Sequence, residues 1–447
     1  MKIVNSLHSI PAFGAGTWLE RLAESFAAQR AASERYPLRV AITHVTAREA
    51  TVETTFVELA PDDPYRARFG LNELAAPRRK THQEQTFAVV QIIPTGVRCE
   101  VGGFAGDACP ATNLLAAAAD VVITHPNAVN ASELNEMARN VLYVEGRSLD
   151  DFLLGQLALL PSRGNRIGTF IDPSGRKYVD DVINTLNAAR AAAGIDCGLH
   201  MLAGREIGVR TEWTRSGCAV GVVDHPAVVL ESAGRLLAEG AEAIGGVSVI
   251  HGVTPEEFSK HLAGEIPNPS GGIEAIITHL ISKVFRVPTA HAPLPYYRDV
   301  KKTATHNPRA SAEFISTPHY FCVLKGLARA PRLMPLERLA AAGHSQLTLN
   351  NVGAIVVPAS CLGGIPALAA EYSNIPLIAV EENATLLRVT NDMMHMRNVI
   401  PVRTYTEAAG VVLALRNGLC LESLRRPLHC ARQLQDEVPL PNVAIGS

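Results

Sequence analysis

The stretch ADVVITHPNAVN (119–130) decides the fold, because it opens as a buried strand and closes in polar residues. Val121, Val122 and Ile123 are consecutive, apolar and β-branched, whereas a strand with one wet face alternates apolar with polar. His125, Asn127 and Asn130 follow at its end. Ending a buried strand in such groups is costly unless they find water, partners or a ligand. The same texture recurs in FAVVQIIPTG (87–96), NVLYVEG (140–146), RIGTFIDPSG (166–175) and CAVGVVDHP (218–226). It returns in EAIGGVSVIHG (242–252), VGAIVVPAS (352–360) and IPLIAVEEN (375–383).

Between these runs lie Ala-rich helical stretches such as CPATNLLAAAAD (109–120), YVDDVINTLNAARAAAG (178–194) and AVVLESAGRLLAEGA (227–241). Continuous apolar strands separated by helices predict an α/β fold with mainly parallel, doubly wound sheets. In open sheets of that kind, ligands bind outside the carboxyl ends of the strands. Those ends carry Thr95, His125, Asn127, Glu145, Asp172, Asp224, His225 and His251, then Ser360, Cys361, Glu381, Glu382 and Asn383. A shared cleft explains the pattern; the competing reading is that loops are polar in any case.

At 447 residues the chain is too long for one ordinary core. Residues 1–86 read as an N-terminal α+β appendage, with a helix in TWLERLAESFAAQRAA (17–32) and a hairpin in LRVAITHVTAREATVETTFVEL (38–59). The expected continuation is a first lobe with a Gly-rich loop (87–240), then a second lobe with C-terminal helices (241–447). A net charge of −2 without a long Lys/Arg run argues against nucleic-acid partners. The start of the chain shows no charged-then-apolar signal pattern, and no apolar run reaches the ~18 residues of a membrane span. The eight Cys form no C-x-x-C pair and read as reduced, mostly buried thiols. The expectation is therefore a cytoplasmic protein with a small-molecule substrate and no membrane partner. Low charge and Ala-rich helices fit a homo-oligomer.

VGGFAGDACPA (101–111) is the sharpest local motif. Gly102, Gly103 and Gly106 permit positive φ and close approach, and Asp107 is placed to cap the following helix. Such a loop presents N–H groups to an anion; a purely structural tight turn is the alternative. It misses both the G-x-x-x-x-G-K-[ST] and the G-x-G-x-x-G spacing. In NPSGGIEAIITHLISKVFRVPTAHAPLP (268–295), Gly271 and Gly272 open a helix carrying Glu274, Thr278 and His279. His279 reads as a satisfied helix histidine, and His291, between small residues and prolines, as the better functional candidate. VVPASCLGGIPALAAEY (356–372) resembles a nucleophile turn: Cys361, Gly363 and Gly364 precede a helix whose dipole would lower the thiol pKa. A small residue in a tight turn is the plain alternative. IAVEENAT (378–385) adds Glu381, Glu382 and Asn383. His291, His306 and His319 lack the spacing of common ligand sets, so no metal site is assigned. DMMHMR (392–397) reads as core filler.

Taken in order, the motifs at 94–96, 102–108, 125–127 with Asn130, 143–146, 271–275 with 278–279, 290–293, 307–313, 326–331 and 380–385 resemble a conserved bacterial and plant protein family of unknown function. The resemblance covers roughly residues 87–390 and implies one recurrent site, but no activity. The leading expectation is an enzyme acting on a small polar, anionic metabolite by lyase, isomerase or hydrolase chemistry. Its anion would sit on the Gly102–Gly103–Gly106–Asp107 loop and on Gly271–Gly272. His125 and His291 would form the acid/base pair, with Glu381 or Glu382 orienting or assisting and Cys361 as nucleophile or second proton carrier. Thr95, Asn127, Asn130, Glu145, Glu274, Gly363, Gly364 and Asn383 would complete the binding surface. No cofactor is identified. A non-catalytic binding or regulatory protein and a phosphoryl- or acyl-transfer enzyme are the alternatives.

Overall fold

A computed structural model describes residues 1–30, 34–69, 74, 77–130, 137–294, 305–311, 319–341 and 346–431. Of the motifs above, residues 31–32, 295 and 312–313, and the side chains of 28–30 and His319, lie outside the described residues. Strands are numbered β1–β17 in chain order. The central sheet runs β17 (Val399–Val402), β16 (Leu377–Val380), β15 (Val352–Pro358), β4 (Ala88–Gln91), β5 (Val121–Thr124) and β6 (Val141–Tyr143). Every pairing in it is parallel. A second parallel sheet runs β13 (Thr289–Pro293), β12 (Ala243–Ser248), β8 (Ile167–Ile171) and β9 (Leu199–Leu202). Two antiparallel pairs lie beside these sheets: β10 (Val209–Trp213) with β11 (Ala219–Val223), and β7 (Leu157–Leu160) with β14 (Arg332–Pro335).

Continuous apolar strands have both faces covered. Val89, Val356, Ile378 and Val380 join one core with Leu115 and Ala116 of the helix Cys109–Ala118 and Val412 of the helix Tyr405–Arg416. Their neighbours Val90, Ile355, Val357, Leu377 and Ala379 face the opposite core, with Leu368 of the helix Ile365–Tyr372 and Phe152 of the helix Gly146–Leu153. The strand order reverses at β4: the chain runs outward through β5 and β6, then returns to β15 on the other side. That reversal opens a crevice at the carboxyl ends of β4 and β15. The architecture is Rossmann-like α/β and suits small-molecule binding.

The N-terminal region is a β-α-β-β unit: β1 (Lys2–Pro11), the helix Trp18–Arg30, β2 (Arg35–Val45) and β3 (Glu49–Glu58), with antiparallel order β1-β3-β2. It is docked on the central sheet, since Trp18, Leu19, Leu22, Phe26 and Ile42 share the core of Val90 and Val357. Trp18 Nε1 donates to Met394 O at 2.8 Å, and its backbone N–H to Glu371 Oε2 at 3.0 Å. On β2, Ile42 N–H donates to Gly363 O at 2.9 Å, and Ala41 bridges Gly364.

At that seam a Cβ on Gly363 would lie 2.0 Å from Ile42 O, against backbone that cannot swing away. Gly363→Ala should therefore cost about 1–3 kcal/mol in urea unfolding. The control is Gly410→Ala, in an exposed helical position with nothing within 4 Å, which should gain roughly 0.5–1 kcal/mol. Equal responses of the two variants would show that the seam is not tight.

Candidate functional site

A cavity of about 280 Å³ opens at the crevice beyond β4, β5 and β15. It is walled on one side by the helix Gly271–Phe285, which crosses from β12 to β13, and on another by β2. Of the residues expected at a site, Thr95, Gly106, His125, Asn127, Asn130 and Glu145 line it. So do Gly271, Gly272, Glu274, His291, Cys361, Gly363 and Gly364.

The opening motif is explained by one peptide unit. Ile93 lies just past β4, where the parallel ladder has ended; its N–H donates to His125 Nε2 at 2.9 Å. Its carbonyl accepts from Asn127 Nδ2 at 3.0 Å. His125 and Asn127 thus replace the missing sheet partners. Because Nε2 accepts, its lone pair is occupied and the imidazole carries its proton on Nδ1. Burial, opposed by the charge of Glu145 and helped by that of His279, pushes its pKa down to about 4. His125 is therefore a neutral N–H donor at physiological pH, which corrects its expected role as a base. Beside it, Thr95 Oγ1 is buried without a hydrogen-bond partner. A Cβ on Gly271 would sit 2.4 Å from that oxygen, so glycine lets the helix start approach Thr95. A Cβ on Gly272 would meet Ala219 O at 2.1 Å.

Glu145 ends β6 and caps the helix Gly146–Leu153, accepting from Ser148 N–H at 2.9 Å. Thr278 Oγ1 donates to Oε1 at 3.2 Å and Ser282 Oγ to Oε2 at 2.5 Å, while His279 Nδ1 makes a short contact with Oε1. These three residues recur along one side of the helix Gly271–Phe285. Burial alone would raise the carboxyl pKa, but the charge and hydrogen bond of His279, with Ser282 and Ser148, hold it at about 2. The carboxylate fixes the imidazole through Nδ1 and leaves Nε2 for the cavity. His291, on β13, is fully enclosed; its Nε2 lies 2.8 Å from Ser248 Oγ, and Nδ1 lies 3.5 Å from Glu274 Oε2. Asn130 Oδ1 accepts from Tyr143 OH at 2.8 Å.

Two lining residues were not singled out by the sequence. Asp150, on the helix Gly146–Leu153, presents a carboxyl with no hydrogen bond or ion pair to the described residues. Burial, opposed by Arg147 and reinforced by Asp151 and Glu145, pushes its pKa up to about 8. Arg39, on β2, is the one Lys or Arg among the described lining residues. A visible cue to Asp150 was its place on the short helix that Glu145 opens; Arg39 carried none, since nothing local ties a β2 residue to a distant crevice. His279 was passed over because its partner is 134 positions away.

Other expected residues go elsewhere. Asp107 does not cap the helix Cys109–Ala118, whose N-cap Ala108 lacks a side-chain bond; it accepts from Gly102 N–H at 3.1 Å. The N–H groups of Val101, Gly102, Gly106 and Ala108 are all bonded within the protein, so they are not available to an anion. Gly103 is demanded by packing: its Cβ would lie 2.5 Å from Cys99 backbone. Asn383 is fully buried and clamps this loop through Val101 N–H (2.9 Å) and Val101 O (3.1 Å). Glu382 accepts from Tyr405 N–H at 2.6 Å, and both it and Glu381 are exposed away from the cavity. Cys361 precedes the helix Ile365–Tyr372 by a full loop, and burial pushes its thiol up to about 12, so helix-dipole activation does not operate. Asp172 is spent on Ser174 and Ile207 N–H groups, whereas Asp224, His225 and His251 are exposed. Among the described residues, no group of three or more His, Cys, Asp or Glu is placed to hold a metal ion.

The two shifted carboxyls have opposite linkage. Asp150, raised from 3.8 to about 8, gives stability that is complete below pH 4 and lost as pH rises through 8. Glu145, lowered from 4.5 to about 2, gives stability present above pH 4.5 and lost as pH falls towards 2. Urea midpoints of Asp150→Asn should consequently decline less than wild type between pH 4 and 8. Those of Glu145→Gln should be lower at pH 7 but flatter in acid. Parallel curves for all three proteins would contradict these assignments.

The chain matches the family model described as Protein of unknown function (DUF3326) over residues 88–425. An uncharacterized lipoprotein of Synechococcus sp. is 34% identical over 342 residues, covering 74% of this chain and 91% of the relative. No solved structure matches the chain. The relative's name overturns the expectation of a cytoplasmic protein with no membrane partner. That expectation rested on apolar run length, and no described helix is long and apolar enough to cross a membrane. Lipid attachment, however, requires no spanning helix. With three quarters of its length matched, the chain belongs to the DUF3326 family of proteins of unknown function.

Proposed function

We propose that the protein is an enzyme that transfers protons on a small polar metabolite, in the manner of a lyase, isomerase or hydrolase, within a family whose members include a lipoprotein. The observation that carries this reading is a pair of titratable groups tuned apart in one cavity. Asp150 is pushed up to about 8 and His125 down to about 4. Near neutral pH, Asp150 exchanges its proton readily, which suits a general acid or base. His125 keeps Nδ1–H aimed at the cavity as a neutral donor, suited to polarising a carbonyl and steadying the oxyanion that forms as a proton leaves the adjacent carbon. The Glu145–His279 pair supplies a second proton carrier at Nε2. Asp150 and this pair take over the acid/base work first expected of His125 and His291. The Glu274–His291–Ser248 chain orients one wall of the cavity.

Incubation of the purified protein with a metabolite mixture in D2O, read by mass spectrometry, tests this directly. Wild type should introduce deuterium into, or convert, at least one compound. Asp150→Asn should slow that reaction about 100-fold or more, and His125→Gln should slow it comparably while still binding the compound. A compound that binds and is never exchanged or converted would make the protein a receptor instead.

A further inference from the structure

We infer that the substrate of this cleft is a small carboxylic acid bearing hydroxyl or amino donors, with its carboxylate held by Arg39 of the N-terminal sheet. The inference rests on the cleft being the enzyme's site and adds the class of molecule it takes. Arg39 is half-buried and makes no hydrogen bond or ion pair with any described residue. Its guanidinium is not committed to any protein acceptor among the described residues, and its planar fork matches a carboxylate. Its position is fixed: three residues on, Ile42 N–H is bonded to Gly363 O at 2.9 Å, and Ala41 bridges Gly364. The N-terminal sheet therefore supplies a wall of the site along with the cation.

The rest of the lining sets the charge the ligand can bring. Glu145 is ionised, Glu274 projects from the same helix as His279, and Asp150 stands unpartnered. Arg39 is the one Lys or Arg against them among the described lining residues. The N–H groups of Val101, Gly102, Gly106 and Ala108, which would have suited a phosphate, are bonded within the protein. Glu145 is paired with His279, so Arg39 is left to compensate one carboxylate of the ligand. The Asp150 carboxyl can meet a hydroxyl or amino group, and the unpartnered Thr95 hydroxyl and His125 Nδ1–H donate to a carbonyl or carboxylate oxygen.

Titration calorimetry of the full chain tests this with three-to-six-carbon hydroxy and amino acids, their uncharged amides, and inorganic phosphate as probes. At least one acid should bind wild type while its amide does not. Arg39→Met should weaken that acid by about tenfold or more, with Arg39→Lys intermediate. Both variants should keep the wild-type circular dichroism spectrum, and Gly410→Ala, which does not line the cleft, should keep the affinity. Equal binding of acid and amide, an unchanged affinity in Arg39→Met, or no acid binding at all would overturn the inference. Phosphate binding in place of the acids would do so as well. An acid that binds through Arg39 but never exchanges deuterium leaves this assignment standing and removes the catalytic one. Exchange on an uncharged compound does the reverse.

Discussion

A carboxylate sealed at the end of β6 constrains everything around it. Glu145 is 3% exposed and ionised, a state that the interior tolerates only with several donors aimed at it. Ser148 comes from the helix it caps; Thr278, His279 and Ser282 come from the helix that joins β12 to β13 in the other parallel sheet. One side chain therefore ties the central sheet to the second parallel sheet and sets how closely Gly271–Phe285 approaches the crevice. Substituting a single partner strands a buried charge, which is why such clusters cost more to break than their separate bonds suggest.

The close approach has its own requirement. Gly271 sits over Thr95 and Gly272 over Ala219 O, each where a Cβ would overlap its neighbour. At these glycines the close approach is to protein backbone and a hydroxyl. The loop 101–107 shows the same substitution of roles. Its glycines and Asp107 carried the signature of anion binding, yet the N–H groups turn inward to Asp107, Asn383 and neighbouring carbonyls. Local sequence displays which backbone shapes are available; it does not display which donors the fold has already used.

The parallel strands and the polar strand ends were legible because both follow from short-range chemistry: consecutive β-branched residues, then a His, Asn or Glu. His125, Asn127 and Glu145 were found that way, and the strand reversal at β4 explains why they converge. Glu381 and Glu382 have the same local appearance, but at β16, one strand beyond the reversal, Glu382 accepts from Tyr405 N–H at the start of the neighbouring helix Tyr405–Arg416 and Glu381 is exposed. His279 and Asp150 were obscured for a different reason. On a helix, a polar residue looks like a solvated face until the partner element is known, and that partner lies far along the chain.

Arg39 shows the limit most sharply. In β2 it is an unremarkable member of an alternating strand, and its meaning arises only because Ile42 and Ala41 are joined to the loop 363–364. The N-terminal sheet then closes the crevice that the parallel sheet opens. Its position accounts for the mixed electrostatics of the cavity: the Rossmann-like part contributes imidazoles and carboxyls, and the added sheet contributes the guanidinium. A cleft with acids alone would repel the anions that polar metabolites commonly carry, and a cleft with bound cations alone would hold Asp150 ionised. Setting one unpaired cation in a wall separate from the acids leaves Asp150 free to titrate near neutrality while still offering a place for one negative charge.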